Sequence, residues 1–89
     1  MAKRVDANQA DIAAALRSVG ATVWLTHECG RGAPDMVCGF RGANLLLECK
    51  AARGKMTDDE LAWHTHWRGQ VAIVRSPREA LKAIGAEIE

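Results

Sequence analysis

The sequence lacks an apolar run of about 18 residues, the length a membrane-spanning helix needs, so no transmembrane segment is expected. No hydrophobic stretch follows the opening Met-Ala-Lys-Arg, which therefore does not read as a signal peptide. Charge of one sign is missing too. Twelve Lys and Arg stand against eleven Asp and Glu, a formal net charge of +1 that creates no global field for nucleic acid. There is no Cys-x₂-Cys pair. Cys29, Cys38 and Cys49 are an odd count, and without an export signal they read as reduced cytoplasmic thiols. The same spacing disfavours a zinc site drawn from His27, Glu28, Cys29, Cys38, Cys49 and His66. Repeats, low-complexity segments and linkers are absent, which leaves one domain over residues 1–89 as the expected organisation.

What is present suits a small folded domain. Hydrophobic residues make up 48% and charged residues 26%, ordinary for a soluble globular chain. A chain of 89 residues buries only a modest core, so self-association would add useful buried surface. The charge is also uneven. Between Arg31 and Lys55 lie Arg31, Arg41, Lys50, Arg53 and Lys55, opposed only by Asp35 and Glu48.

Periodicity and punctuation predict the order α-β-β-β-α-β-α. Residues 6–19 form an amphipathic helix with Asp6 as N-cap, Ile12, Leu16 and Val19 on one stripe, and Gly20 as its stop. Residues 21–26 are a β-branched strand and 27–33 a polar loop. Residues 35–40 and 45–50 are strands around the turn Arg41-Gly42-Ala43-Asn44. Thr57-Asp58-Asp59-Glu60 has the capping-box pattern and opens a helix over 57–68 that Gly69 ends. A fourth strand spans 71–75. Ser76 then caps a last helix with Pro77 in its first position, running to about Ile84.

The hairpin brings chemistry together. A turn centred on Gly42-Ala43 pairs Arg41 with Asn44, Val37 with Glu48 and Asp35 with Lys50. Paired residues share a face, so Asp35, Glu48 and Lys50 point the same way. A slip of two residues keeps that shared face; a slip of one destroys it. Two converging carboxylates repel unless protonated or bridged by a cation. Mg²⁺ accepts carboxylate, carbonyl and water oxygens, and the Cys49 backbone carbonyl offers one more. Lys50 beside them can orient a water or stabilise developing phosphate charge. The alternative is a salt-bridge cluster on a solvated sheet edge, and Glu-x-Lys alone is a weak signal. Against that alternative, Glu48 and Lys50 end the apolar run Leu45-Leu46-Leu47, where charge needs a reason. Gly32-Ala33-Pro34-Asp35 likewise places a carboxylate where a loop enters its strand.

These motifs resemble the PD-(D/E)xK nuclease superfamily, and within it the small stand-alone phage members of the virus-type replication-repair nuclease group, VRR-NUC. The matching residues are Asp6 and Gln9, Gly32-x-Pro34-Asp35, Glu48-x-Lys50, Leu61, Trp63-His64 and Trp67-x-Gly69-Gln70-Val71. The element order matches as well, and the resemblance covers nearly the whole chain. It implies an α/β core with a mixed four-stranded sheet flanked by helices. It also implies Asp35 and Glu48 as metal ligands, Lys50 assisting the attacking water, and Mg²⁺ or Mn²⁺ as cofactor. Branched DNA such as a four-way (Holliday) junction is the implied substrate. A homodimer follows, because symmetric junction cutting needs two sites, and so does a cytoplasmic location for a phage protein in its bacterial host. One departure stands out: this group commonly carries glutamine where this chain has Glu60, which leaves Glu60 as either a metal-site carboxylate or a helix cap with Thr57.

Several further residues have two readings each. Gln9 lies on the apolar stripe and, with Asp6 nearly a turn earlier, either reaches the site or serves as fringe and cap. Glu60, Trp63, His64 and Trp67 share a helix face; the tryptophans are expected in the core, with base stacking as the alternative. His64 is a phosphate contact or a structural histidine. His27 and Glu28 precede the candidate catalytic strand and are placed to flank substrate. Arg31, Arg53 and Lys55 are the chosen DNA-phosphate contacts, against ordinary solvated charge. The expected function is a metal-dependent endonuclease on structured DNA. The alternatives are a non-catalytic or weakly catalytic junction-binding module and a restriction-type, sequence-specific nuclease.

Overall fold

A computed structural model of the chain describes residues 8–86. Their order is α1 (Asn8–Ser18), β1 (Thr22–Leu25), a 3₁₀ turn (His27–Cys29), β2 (Met36–Phe40), β3 (Ala43–Cys49), α2 (Asp58–His66), β4 (Val71–Val74) and α3 (Pro77–Ala83). The expected α/β architecture is present, with three helices and a mixed four-stranded sheet. The expected N-cap Asp6 lies outside the described residues. None of the described helices is long and apolar enough to cross a membrane.

The strands run in the spatial order β1-β2-β3-β4. The first three pair antiparallel, and β4 lies parallel to β3. Parallel neighbours need a crossover connection, which here contains α2. The β2–β3 register differs from the expected one by two residues: Phe40 pairs with Ala43 and Val37 with Leu46. Arg41 and Gly42 form the turn, both with positive φ (51° and 80°). That is the twist-matched hairpin turn, which takes glycine at its second central position. A guanidinium 4.8 Å above the Phe40 ring accompanies Arg41 in this conformation. The even slip keeps the shared face and sharpens it. Continuing the register sets Asp35 across from Glu48, with Lys50 beyond.

One sheet face carries the core. Ile12 and Leu16 of α1 and Leu81 of α3 cover Met36, Cys38, Leu47, Cys49 and Val74. Burial raises the Cys38 thiol pKa, which suits an inert packing role. The opposite face holds the cross-strand row Trp24, Val37, Leu46 and Val71, with Trp24 71% exposed. Asp35, Glu48 and Lys50 share that second face by alternation. At the far end, α3 starts as predicted, with Ser76 Oγ accepting from Glu79 N–H and Pro77 in the first turn.

Candidate active site

Asp35 is held by backbone on both sides. Its N–H donates to the Leu47 carbonyl (3.0 Å), and its own carbonyl accepts from Thr26 N–H (2.7 Å). Thr26 Oγ1 also donates to the Pro34 carbonyl, tying the Pro-Asp entry to the end of β1. The Asp35 carboxylate accepts a 2.7 Å bond from Cys49 N–H. Glu48 is 1% exposed; its carboxyl lies within hydrogen-bonding reach of the Asp35 and Glu60 carboxyls, and its buried Oε1 receives no hydrogen bond from a donor group. Burial, reinforced by the charges of Asp35 and Glu60, pushes the Glu48 carboxyl up to about 9. It is therefore neutral at pH 7 unless a cation compensates it.

Lys50 faces two acids. Its Nζ is 2.6 Å from Glu60 Oε1 and 3.8 Å from Glu48 Oε2. The Lys50 backbone is anchored as well: its N–H donates to the Val74 carbonyl and its carbonyl accepts from Asn8 Nδ2 (2.8 Å). Glu60 does two jobs with one oxygen. Oε1 accepts from Thr57 N–H (2.8 Å) while Thr57 Oγ1 accepts from Glu60 N–H, completing the predicted capping box. Burial works to raise the Glu60 pKa, but the Lys50 and Thr57 bonds outweigh it and hold the carboxyl below its usual range.

Gly32 sets where α2 begins. Its φ is +80°, and a Cβ there would collide with the Asp59 carbonyl and come within 2.7 Å of Glu60 N. The loop before Asp35 thus lies directly against the first turn of α2. His64, one turn further along, is half-buried with Nε2 unpartnered. Burial lowers its pKa; Glu60 opposes this and Lys50 adds to it, so the ring is neutral at pH 7.

Asp35, Glu48, Lys50 and Glu60 therefore cluster, with His64 electrostatically coupled to them. Gln9 is buried on α1 but reaches His27 Nδ1 (3.2 Å), beside Thr26. It supports the loop ahead of Asp35, and its Oε1 is a further unpartnered buried atom. Arg31, Arg53 and Lys55 are exposed.

Two expectations need correction. Trp63 and Trp67 are not core: Trp63 is half-buried and Trp67 44% exposed, because Glu60 is the one buried residue of α2. Gly69 does not end α2. The helix stops at His66, and Trp67 turns extended while donating its N–H to the Trp63 carbonyl. Sequence reasoning missed Asn8, which bridges the carbonyls of Lys50 and Arg75. It also missed Arg75, whose guanidinium donates to the Ala51 and Gly54 carbonyls and holds the loop bearing Arg53. Neither carries a local signal, since each acts on backbone distant in sequence.

Among the described residues, no group of three or more His, Cys, Asp and Glu side chains is arranged to hold a metal ion. The donor chemistry nevertheless fits a hard divalent cation, since Mg²⁺ is usually held by one or two carboxylates and keeps several waters. The buried Glu48 Oε1 that no donor satisfies is the observation that meets this test. No protein-family model, curated protein or solved structure matches the chain.

Proposed function

We propose that this chain is a metal-dependent endodeoxyribonuclease of the PD-(D/E)xK type, in the VRR-NUC group, acting on branched DNA. The observation that carries the reading is the buried pair Asp35–Glu48, with a Glu48 oxygen that no donor satisfies and a lysine ammonium 3.8 Å from the other. Burying a carboxylate next to two others is costly without a function or a counter-charge. Asp35 and Glu48, with the Cys49 carbonyl, would hold Mg²⁺ or Mn²⁺. Such an ion supplies Lewis-acid polarisation of a phosphoryl oxygen and a water acidic enough to attack at neutral pH.

The chain's own groups take the remaining roles. Lys50 orients the attacking water and offsets developing phosphate charge. Glu60 positions the Lys50 ammonium, and Gln9 braces the loop that delivers Asp35. Arg31, Arg53, Lys55 and His64 are the proposed DNA contacts. A second copy of the chain completes the reading as a homodimer. Exposed Trp24 and Ile73, on the sheet face that also carries the half-buried Val37, Leu46 and Val71, are the apolar surface that supports it.

The test is cleavage of a labelled four-way junction and a matched linear duplex in Mg²⁺, Mn²⁺ or EDTA. Metal-dependent cutting of the junction, abolished by Glu48→Gln with the fold retained, is the expected result. Tight junction binding with no cutting in any metal overturns the enzyme reading and leaves a binding module. One observation favours that second reading: the 2.6 Å Lys50–Glu60 pair engages the proposed catalytic ammonium. Sequence-dependent cutting of linear duplex would point to a restriction-type enzyme.

A further inference from the structure

α2 presents a second surface, distinct from the acidic cluster. The Trp63 and Trp67 indoles stack with centroids 4.8 Å apart and planes 18° from parallel. With Arg31, Asp59, Ala62 and His66 they line an open groove of about 410 Å³. That lies within the ~300–1,000 Å³ typical of small-ligand sites. Trp67 is 44% exposed and Trp63 only half-buried, and large rings left this open on so small a domain are informative.

The groove has a built geometry. Trp67 lies past the end of α2, and its indole folds back over Gly69. A Cβ at Gly69 would sit 3.0 Å from Trp67 Nε1 and 3.4 Å from Cε2, so glycine leaves the space the ring occupies. Arg31 is delivered by three consecutive residues with positive φ, Gly30, Arg31 and Gly32, and Gly32 rests on α2. The groove also joins the candidate active site. Asp59 lines it while the next residue, Glu60, turns inward to Lys50. Arg31 stands four residues before Asp35.

We infer that this groove is a subsite for an unpaired nucleotide, its base stacked on the outward face of the Trp63–Trp67 pair, chiefly on the more exposed Trp67, and its phosphate held by Arg31. Stacked indoles offer a π-face to any base, and a guanidinium matches a phosphate. Asp59 keeps the phosphate toward the Arg31 side and can accept from a base amino group. Bases inside a continuous duplex have no free π-face. The substrate class is therefore DNA with an unpaired base near the cut: an opened branch point, a flap or a frayed end. This inference rests on the nuclease reading for its catalytic meaning but not for binding.

The test uses the full chain with Trp24→Phe, which leaves the two groove indoles as the fluorophores, in EDTA. The probes are a short oligothymidylate and a blunt duplex. Indole fluorescence is expected to quench with the oligothymidylate and far less with the duplex. Trp67→Ala should weaken oligothymidylate binding by about 5- to 150-fold, the range for losing one base stack, and Trp67→Phe should restore much of it. Circular dichroism serves as the fold control. On a junction in Mg²⁺, Trp67→Ala should raise KM with kcat little changed. No quenching, equal quenching by both probes, or unchanged affinity in Trp67→Ala overturns the subsite. Quenching without any metal-dependent cutting overturns the nuclease reading and leaves the subsite standing. Glu48-dependent cutting without quenching does the reverse.

Discussion

α1 and α2 are of similar length but attach to the sheet by opposite physics. α1 buries Ile12, Ala13 and Leu16 and packs on the sheet and α3 through apolar contact. α2 buries one side chain, Glu60, and that side chain is ionised against Lys50. Apolar burial scales with area and is indifferent to pH. A buried ion pair is a weak source of stability, but breaking it by removing one partner is strongly destabilising. The contrast shows which part of the molecule is scaffold and which part answers to the charge state of the site. α1 and the core face hold the sheet, while α2 is placed by the chemistry it helps to arrange.

Four measurements break or sharpen that contrast. Leu16→Ala should cost about 2–5 kcal/mol in chemical denaturation, the usual range for a large-to-small core change. A smaller loss would mean that α1 is less integral than its burial implies. The second concerns pH in the metal-free protein. Glu48 holds its proton to about 9 in the folded chain, against an ordinary value of 4.5 when exposed. Between those values the folded state binds the extra proton, so this contribution is full below 4.5 and lost as pH rises toward 9. Urea midpoints should fall from pH 5 to pH 9, and Glu48→Gln should flatten the slope. Metal binding should release a proton, so Mn²⁺ affinity measured calorimetrically should rise over the same window. A flat wild-type profile would contradict the assigned protonation.

Third, Thr57→Ala removes half of the capping box and should cost ~1 kcal/mol. Losing the Thr57 Oγ1 that accepts from Glu60 N–H loosens the turn that aims the Glu60 carboxylate at Lys50, so the same variant should lower the proposed nuclease activity, whereas Ser76→Ala at α3 should cost similar stability without that loss. Smallest of all, Leu61→Ala on α2 should change stability by no more than about 0.5 kcal/mol, since the side chain is half exposed. A core-sized loss there would show that α2 is docked by apolar contact after all.

Much of this was legible in the residues. The order of helices and strands, the Ser76-Pro77 start and the Thr57–Glu60 box follow from local pattern and capping chemistry. The shared face of Asp35, Glu48 and Lys50 survived a two-residue register error because strand alternation is indifferent to even slips. The residues leave the turn open between Arg41-Gly42 and Gly42-Ala43, both reasonable glycine turns, and the positive-φ pair Arg41-Gly42 matches the strand twist. The Trp63–Trp67 spacing predicts core packing only if the helix face they share with Glu60 meets the sheet along its length, whereas α2 meets it through Glu60 near its first turn.

The sequence by itself determined the elements, their order and the convergence of two carboxylates and a lysine on one sheet face, because periodicity, caps and alternation are local properties of the chain. Only the tertiary structure decided that Glu60 closes on Lys50 rather than facing solvent, that Gly32 seats α2, and that two tryptophans stand at the surface beside Arg31. Each of these depends on where a helix lands after a crossover, and no local rule in residues 50–70 specifies that landing.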